Sequence, residues 1–434
     1  MTLISGWGRY PKVESKIIRP DSVEALRTFV ADDVPMIARG LGRSYGDSSL
    51  ASMVVESTRL NRLASFDEVT GILKCDAGVS LDEVLNVFVS RGWFLPVTPG
   101  SRFVTLGGAV ASDVHGKNHH LVGSFCDHVT ELEVALGNGD IVTISPHNHS
   151  DLFFATCGGM GLTGIILSVS LRLIKIQSSS MIQRTIRAPN LNAIFQLFDE
   201  NLSASYSVAW IDCLAKGQHM GRSLLMLGEH AQDHCYEVAK AKVKNMTFDM
   251  PEWLLNKYSI TAFNKLYYLK SFVNPSITTL TYRPFFYPLD AMTNWNRLYG
   301  KNGFLQYQFV LPKTSGKEAM LKILKRISES GRGSFLAVLK AFGKGNQNLL
   351  SFPIEGYTLA LDFKLDSEVF NLLNELDTMV ADYGGRIYLS KDARMSEQLF
   401  KRTYPLWREF QDVRAKYHAL GKFSSTQSMR LGLQ

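Results

Sequence analysis

The sequence predicts an α+β fold. Strand-like and helix-like segments alternate up to about Ile176, and glycine-rich clusters interrupt that alternation. From about Gln177 the strands lengthen and alternate more regularly, with longer helical stretches between them. The 434 residues, 45% hydrophobic and 20% charged, have the balance of a globular chain with material for more than one core.

Asp21 to Val30 reads as a helix capped by Asp21, and Val34 to Ala38 as the strand that follows. Gly71 to Asp76 is strand-like, and Ser80 to Arg91 is an amphipathic helix capped by Ser80. Val129 to Ala135 and Asp140 to Ile144 flank Gly137-Asn138-Gly139, a hairpin signal. Ser150 to Cys157 opens with N-cap chemistry, and Ile165 to Leu173 is a β-branched, alternating strand. Farther on, Tyr206 to Ile211 and Phe304 to Val310 read as strands. Lys317 to Ser330, Glu368 to Tyr383 and Ser396 to Tyr404 read as helices. The stretch from His234 to Thr281 is irregular and mixes Trp253, Tyr258, Phe263, Tyr267 and Tyr268 with Lys257, Lys265 and Lys270. It suits either a packed helical insertion or a mobile, lipid-facing patch.

The first glycine cluster is Arg39-Gly40-Leu41-Gly42-Arg43-Ser44-Tyr45-Gly46-Asp47. Such a segment turns tightly and can lay backbone N–H groups against an anion, as a pyrophosphate requires. A second runs from Pro99-Gly100-Ser101 through Thr105-Leu106-Gly107-Gly108-Ala109-Val110-Ala111 into Ser112-Asp113-Val114-His115-Gly116-Lys117-Asn118-His119-His120. Its small residues let a helix start approach a large planar or charged ligand. The pair fits a long dinucleotide. A third cluster, Gly159-Met160-Gly161-Leu162-Thr163-Gly164, has G-x-G-x-x-G spacing but lies between a helix and a strand. A dinucleotide fingerprint needs a strand before it and a helix after it, so this is read as a turn near the cofactor.

The formal net charge of +7 suits an anionic cofactor and substrate. With no basic run and no zinc-finger or RNA-binding signature, nucleic acid is not expected as a partner. Cys75, Cys126, Cys157, Cys213 and Cys235 show no C-x-x-C spacing, which argues for reduced thiols and a cytoplasmic location. No secretory signal is visible, and no apolar run approaches the ~20 residues of a spanning helix, so membrane contact would be peripheral, on the inner membrane. His115, His119 and His120 lack acidic or cysteine partners at ligand spacing, so no metal is expected.

These glycine segments, with Gly6-Trp7-Gly8-Arg9, Val97-Thr98-Pro99-Gly100, Gly303 to Val310, Leu350 to Pro353, and Tyr388 with Lys391-Asp392, resemble the FAD-linked oxidases of the vanillyl-alcohol oxidase type. Within that family the chain closely resembles the branch acting on lipid-linked ribose. The resemblance implies a two-part FAD-binding domain of the PCMH type at 1–178. A substrate domain with a central antiparallel sheet would follow at 179–385, and a segment returning to the first domain at 386–434. It implies FAD contacts at Arg39, Gly40, Leu41, Gly42, Arg43, Ser44 and Tyr45. Further along, Gly100, Thr105, Gly108, Ser112, His115, Gly116, Asn118, Gly164, Ile165 and Tyr388 complete that set. Lys117, Trp210, Gln306, Gln308, Lys340 and Lys391 would meet substrate, and Lys391, Tyr45, His115 and Gln308 would serve catalysis.

The implied reaction oxidises the 2′-hydroxyl of a polyprenylphosphoryl ribose to a ketone, with a partner keto-reductase completing epimerisation to arabinose. The alternative is oxidation of a soluble sugar, alditol or aldonolactone. Relatives that bind flavin covalently carry histidine two residues before the tyrosine of the first loop. Arg43 stands there, so non-covalent FAD is expected. Mycobacterial relatives carry cysteine at the place of Ala360 and asparagine at that of Thr358, so thiol-directed inhibitors should find no nucleophile.

Overall fold

A computed structural model describes residues 1–31, 34–237, 243–251, 253–271 and 273–434. It is a mixed helix-and-sheet structure with three principal sheets. The smallest has four strands in the order Thr2–Ser5, Lys12–Ile18, Met53–Glu56 and Ile37–Arg39, the last two pairs being parallel. The first glycine loop leaves the carboxyl end of Ile37–Arg39.

The second sheet is antiparallel and five-stranded: Leu63–Asp67, Ile72–Asp76, Ile165–Arg172, Val129–Ala135 and Ile141–Ile144. The Gly137-Asn138-Gly139 signal closes its last hairpin, and Ile165–Arg172 lies at its centre. That strand is buried at seven of its eight positions, as covering on both faces demands of Ile, Leu and Val. Ser80 caps helix Leu81–Phe88 and shares a reciprocal capping box with Glu83. The helix that follows Asp21 spans Val23–Ala31. Its end is satisfied by Ser22, whose hydroxyl accepts from Ala25 N at 3.2 Å, and not by Asp21. Helix Ser150–Thr156 likewise begins at Ser150, with left-handed His149 at the capping position.

The large antiparallel sheet has eight strands. Ser276–Thr281, Ser180–Ala188, Ser223–His230 and Tyr206–Ile211 form one half. Ala337–Phe342, Gly356–Lys364, Phe304–Pro312 and Arg386–Ile387 form the other. Successive side chains on a strand point to opposite faces, and this sheet divides its labour accordingly. Leu305, Tyr307, Phe309, Leu339, Leu359 and Leu361 pack into one core with helices Leu191–Glu200, Gly316–Ser330 and Ser367–Asp382. Each such side chain contributes about 1.5–3 kcal/mol when fully buried. The intervening residues Gln306, Gln308, Lys340, Thr358 and Ala360 face a cavity.

The irregular stretch after His234 contains helix Lys257–Leu269, capped by Asn256. Residues 238–242, 252 and 272 of that stretch lie outside the described residues. The helix buries Ile260 and Asn264 and exposes Tyr258 and Leu266.

The carboxyl-terminal residues pack against the amino-terminal ones. Met36 N donates to Lys422 O and its carbonyl accepts from Ser424 N, and Thr426 N donates to Leu50 O at 2.7 Å. Arg430 pairs with Asp47 at 2.8 Å and with Asp392 at 2.9 Å, joining the first glycine loop to the Lys391 segment. Gly46 is needed where these segments meet. A Cβ there would lie 1.9 Å from Asp392 O.

Candidate active site

A cavity of about 520 Å³ lies between the glycine segments and the free face of the eight-stranded sheet. This is within the range of sites for cofactor-sized ligands. Residues 39–45 line it along one side. Gly100, Thr105, Gly108 and Ser112 extend that lining, and Gly161 and Gly164 of the third cluster contribute as well. The third cluster is therefore a turn at the cavity, in helix–loop–strand order.

The two main glycine segments meet. A Cβ on Gly40 would fall 2.2 Å from Thr105 Oγ1. Thr105 caps helix Leu106–Ala111, its hydroxyl accepting from Gly108 N at 3.2 Å. Gly42 adopts φ +64°, and the space a Cβ would need is filled by the Arg39 guanidinium. Arg39 donates to Ser5 O at 2.8 Å and to Ser49, so it braces the loop from behind. Arg43 lies over the Trp7 ring at 4.1 Å, with Asp290 close enough to act on its charge. Tyr388 sits at the far end, its hydroxyl donating to Ser112 O at 3.0 Å.

Side chains supply the opposite wall. Gln308 Nε2 lies 2.9 Å from His115 Nε2 and 3.2 Å from Thr358 Oγ1. An amide nitrogen can only donate, so His115 Nε2 accepts and the ring proton is assigned to Nδ1. Burial first, then Lys340, His119 and Lys391, hold His115 well below the usual imidazole range. The ring is therefore neutral, and its buried Nδ1 has no hydrogen-bond partner among the described residues.

Three lysines share the cavity. Burial lowers Lys340 to about 8. Burial and then Lys340 lower Lys117 to about 7, and its ammonium donates to Phe285 O. Lys391, also brought to about 7, is lowered by burial and by Lys340, against an opposing pull from Asp362. Its ammonium lies 4.0 Å above the Tyr45 ring. Lys340 weakens the other two amines, and three such cations gathered in one cavity suit an anion. Trp210 is fixed by its indole N–H to Phe335 O at 3.1 Å and presents its ring to the same cavity.

Gly116, Asn118 and Ile165 are not on the cavity wall. His115 and Lys117 reach it while their neighbours turn away, and Gly164 and Ile166 do so around Ile165. Asn118 instead donates to Pro96 O at 2.8 Å, and Ile165 joins an apolar cluster. The sequence reading also missed Asp290, on the wall, and Asp362, just behind it. Asp362 carried a usable signal, since an Asp between Leu361 and Phe363 on a buried strand requires partners.

The residues fit FAD. Glycine backbone at Gly40, Gly100 and Gly108 leaves room for a diphosphate; at Gly100 the space a Cβ would enter is open. Ala77, Gly107, Ala111 and Ile166 give a flat apolar surface against which a ring system can lie.

Comparison with known proteins agrees. Residues 16–145 match the model of the FAD binding domain family. The fold and site thus define an FAD-dependent oxidoreductase acting on a CH–OH group. Decaprenylphosphoryl-beta-D-ribose oxidase of Mycolicibacterium smegmatis is 37% identical, over 99% of this chain and 97% of its own length. The chain belongs to the family of that oxidase. An uncharacterised Streptomyces coelicolor protein is 30% identical, over 82% of this chain and all of its own length. A putative D-arabinono-1,4-lactone oxidase of Neurospora crassa is 29% identical, over only 38% of this chain and 31% of its own.

Proposed function

We propose that this protein oxidises the 2′-hydroxyl of a polyprenylphosphoryl ribose to a ketone, using non-covalently bound FAD. The observation that carries the reading is end-to-end similarity to an oxidase of that substrate type, and the polar wall of the large sheet supplies groups that suit such a substrate. The lactone oxidase matches over little more than a third of the chain, which gives the soluble-sugar alternative less support.

FAD, when bound, supplies the hydride acceptor. The glycine segments would hold the diphosphate, and Tyr45 and Tyr388 would lie beside the ring system. Gln308 and His115 orient the sugar. Lys391 stabilises negative charge developing on the reacting oxygen. Lys117 and Lys340 meet the phosphoryl group. Arg43 cannot form the covalent flavin link that histidine forms at its position in relatives. Residues 1–178, 179–385 and 386–434 then act as a two-part FAD domain, a substrate domain and a returning segment.

A lipid-linked substrate favours peripheral contact with the cytoplasmic face of the inner membrane. Exposed Trp253, Tyr258, Leu266 and Ile277 support it, together with Lys257, Lys265 and Lys270 and with Tyr267, which reaches the cavity. Among the described residues no helix is long and apolar enough to cross a membrane. A 2′-ketone product calls for a keto-reductase to consume it.

The test is anaerobic bleaching of the purified yellow protein by a polyprenylphosphoryl ribose, a free pentose and an aldonolactone in parallel. Bleaching by the lipid-linked sugar alone is expected. Bleaching by the lactone and not the lipid would replace this reading with the alternative. Denaturation should release FAD into solution.

A further inference from the structure

Behind the cavity wall, Asp362 joins Gln306, Tyr299 and Tyr45 in one hydrogen-bonded group. Asp362 stands on strand Gly356–Lys364, directly across from Gln306 on strand Phe304–Pro312. It is 1% exposed. Gln306 Nε2 donates to Oδ1 at 2.6 Å, and Tyr299 O–H donates to Oδ2 at 3.1 Å. Gln306 is also hydrogen-bonded to the Tyr45 side chain. Tyr299 stacks on Phe304 at 4.2 Å, and Phe304 meets the Tyr45 ring edge-on at 5.5 Å. The Tyr45 ring thus has a polar and an apolar brace, and both lead back to the residues that hold Asp362. Lys391 lies over that ring.

We propose that Asp362 is a positioning residue of the site: through Gln306 and Tyr299 it fixes the Tyr45 ring beneath Lys391, and its carboxylate supplies the counter-charge for the Lys391 ammonium. The consequence for catalysis rests on the proposed oxidation; the pairing with Lys391 does not.

The groups that act on Lys391 are Asp362, Lys340, His115 and, beneath it, Tyr45. Of these, Asp362 is the one carboxylate, and it favours the charged amine together with the face of the Tyr45 ring. Asp362 is itself raised by burial to about 7, while Gln306, Tyr299 and Lys391 hold it down. Removing its charge leaves Lys391 facing Lys340 with only the ring face as compensation. The lysine then releases its proton at lower pH.

The experiment is amine acetylation of Lys391 across pH 5–9, read by peptide mass spectrometry, with acetic anhydride as the probe. Lys391 lines the cavity, so the reagent can reach it. In Asp362→Asn the labelling midpoint should fall from about 7 by about one pH unit or more, giving labelling about fivefold faster at pH 6 and just under about twofold faster at pH 7. Asp362→Glu should restore the parental midpoint. An unchanged midpoint in Asp362→Asn overturns the proposal, as does a midpoint in Asp362→Glu that stays with that of Asp362→Asn. If Asp362→Asn does not fold, Tyr299→Phe removes one donor and leaves the carboxyl. It should lower the midpoint by a smaller step, and no movement there overturns the proposal. Labelling needs no sugar turnover, so a wrong substrate assignment leaves its outcome intact.

Discussion

The two walls of the cavity are built from different materials. The glycine side uses backbone held close by the absence of side chains, with Gly40 against Thr105 and Gly46 against Asp392. The sheet side uses long polar side chains, Gln306, Gln308 and Lys340, projecting from a framework packed by the alternate residues, with Lys391 added from the turn after Arg386–Ile387. A wall made of backbone tolerates almost no substitution, because there is no rotamer through which to yield. A wall made of side chains can lose one function and keep its shape.

The largest effect expected from this contrast is Gly40→Val. Its branched side chain has no room beside Thr105, so the protein should fold yet purify colourless, with FAD affinity down by about 100-fold or more, ~3 kcal/mol. Flavin fluorescence titration measures it; retention of normal affinity would mean that the two glycine segments do not form one cradle. Next, Lys391→Met should keep its flavin and lose about 10²–10³-fold in the rate of flavin reduction by substrate. Stopped-flow absorbance separates that loss from binding.

The third expectation concerns pH. Lys340 and Lys117, lowered to about 8 and about 7, are cationic below those values and neutral above them. Attraction for a phosphoryl group is therefore fully present at pH 6 and declines as pH rises through 7 to 9. KM for a phosphoryl-linked sugar should climb about tenfold over that interval, while KM for an uncharged sugar stays level. Parallel rises for both would place the phosphoryl group elsewhere. The smallest effect is Ser80→Ala, which removes a helix cap remote from the sheet wall. It should cost about 1 kcal/mol of stability by denaturant titration and leave kcat unchanged.

The same contrast explains what could be read from the chain. The backbone wall is local in sequence, so Arg39 to Asp47, the segment from Thr105 and the Ser80 cap were all legible. The side-chain wall depends on register between strands far apart in the chain. Gln306 and Asp362 meet only because strands Phe304–Pro312 and Gly356–Lys364 pair in one register. Motif resemblance found Gln306; nothing local could pair it with Asp362. Gly116, Asn118 and Ile165 show the reverse case: they belong to contiguous motifs, but the cavity wall passes through their neighbours and not through them. Asp21 lost its capping place to the adjacent Ser22, a one-residue choice that spacing alone does not settle.

The clasp between Arg430 and the pair Asp47 and Asp392 sets an order on biosynthesis. During translation, the 39–47 loop emerges early but stays unlatched until Arg430, 383 residues beyond Asp47, has been made. A chain stopped short of Arg430 should therefore hold that loop less firmly than one that carries the clasp.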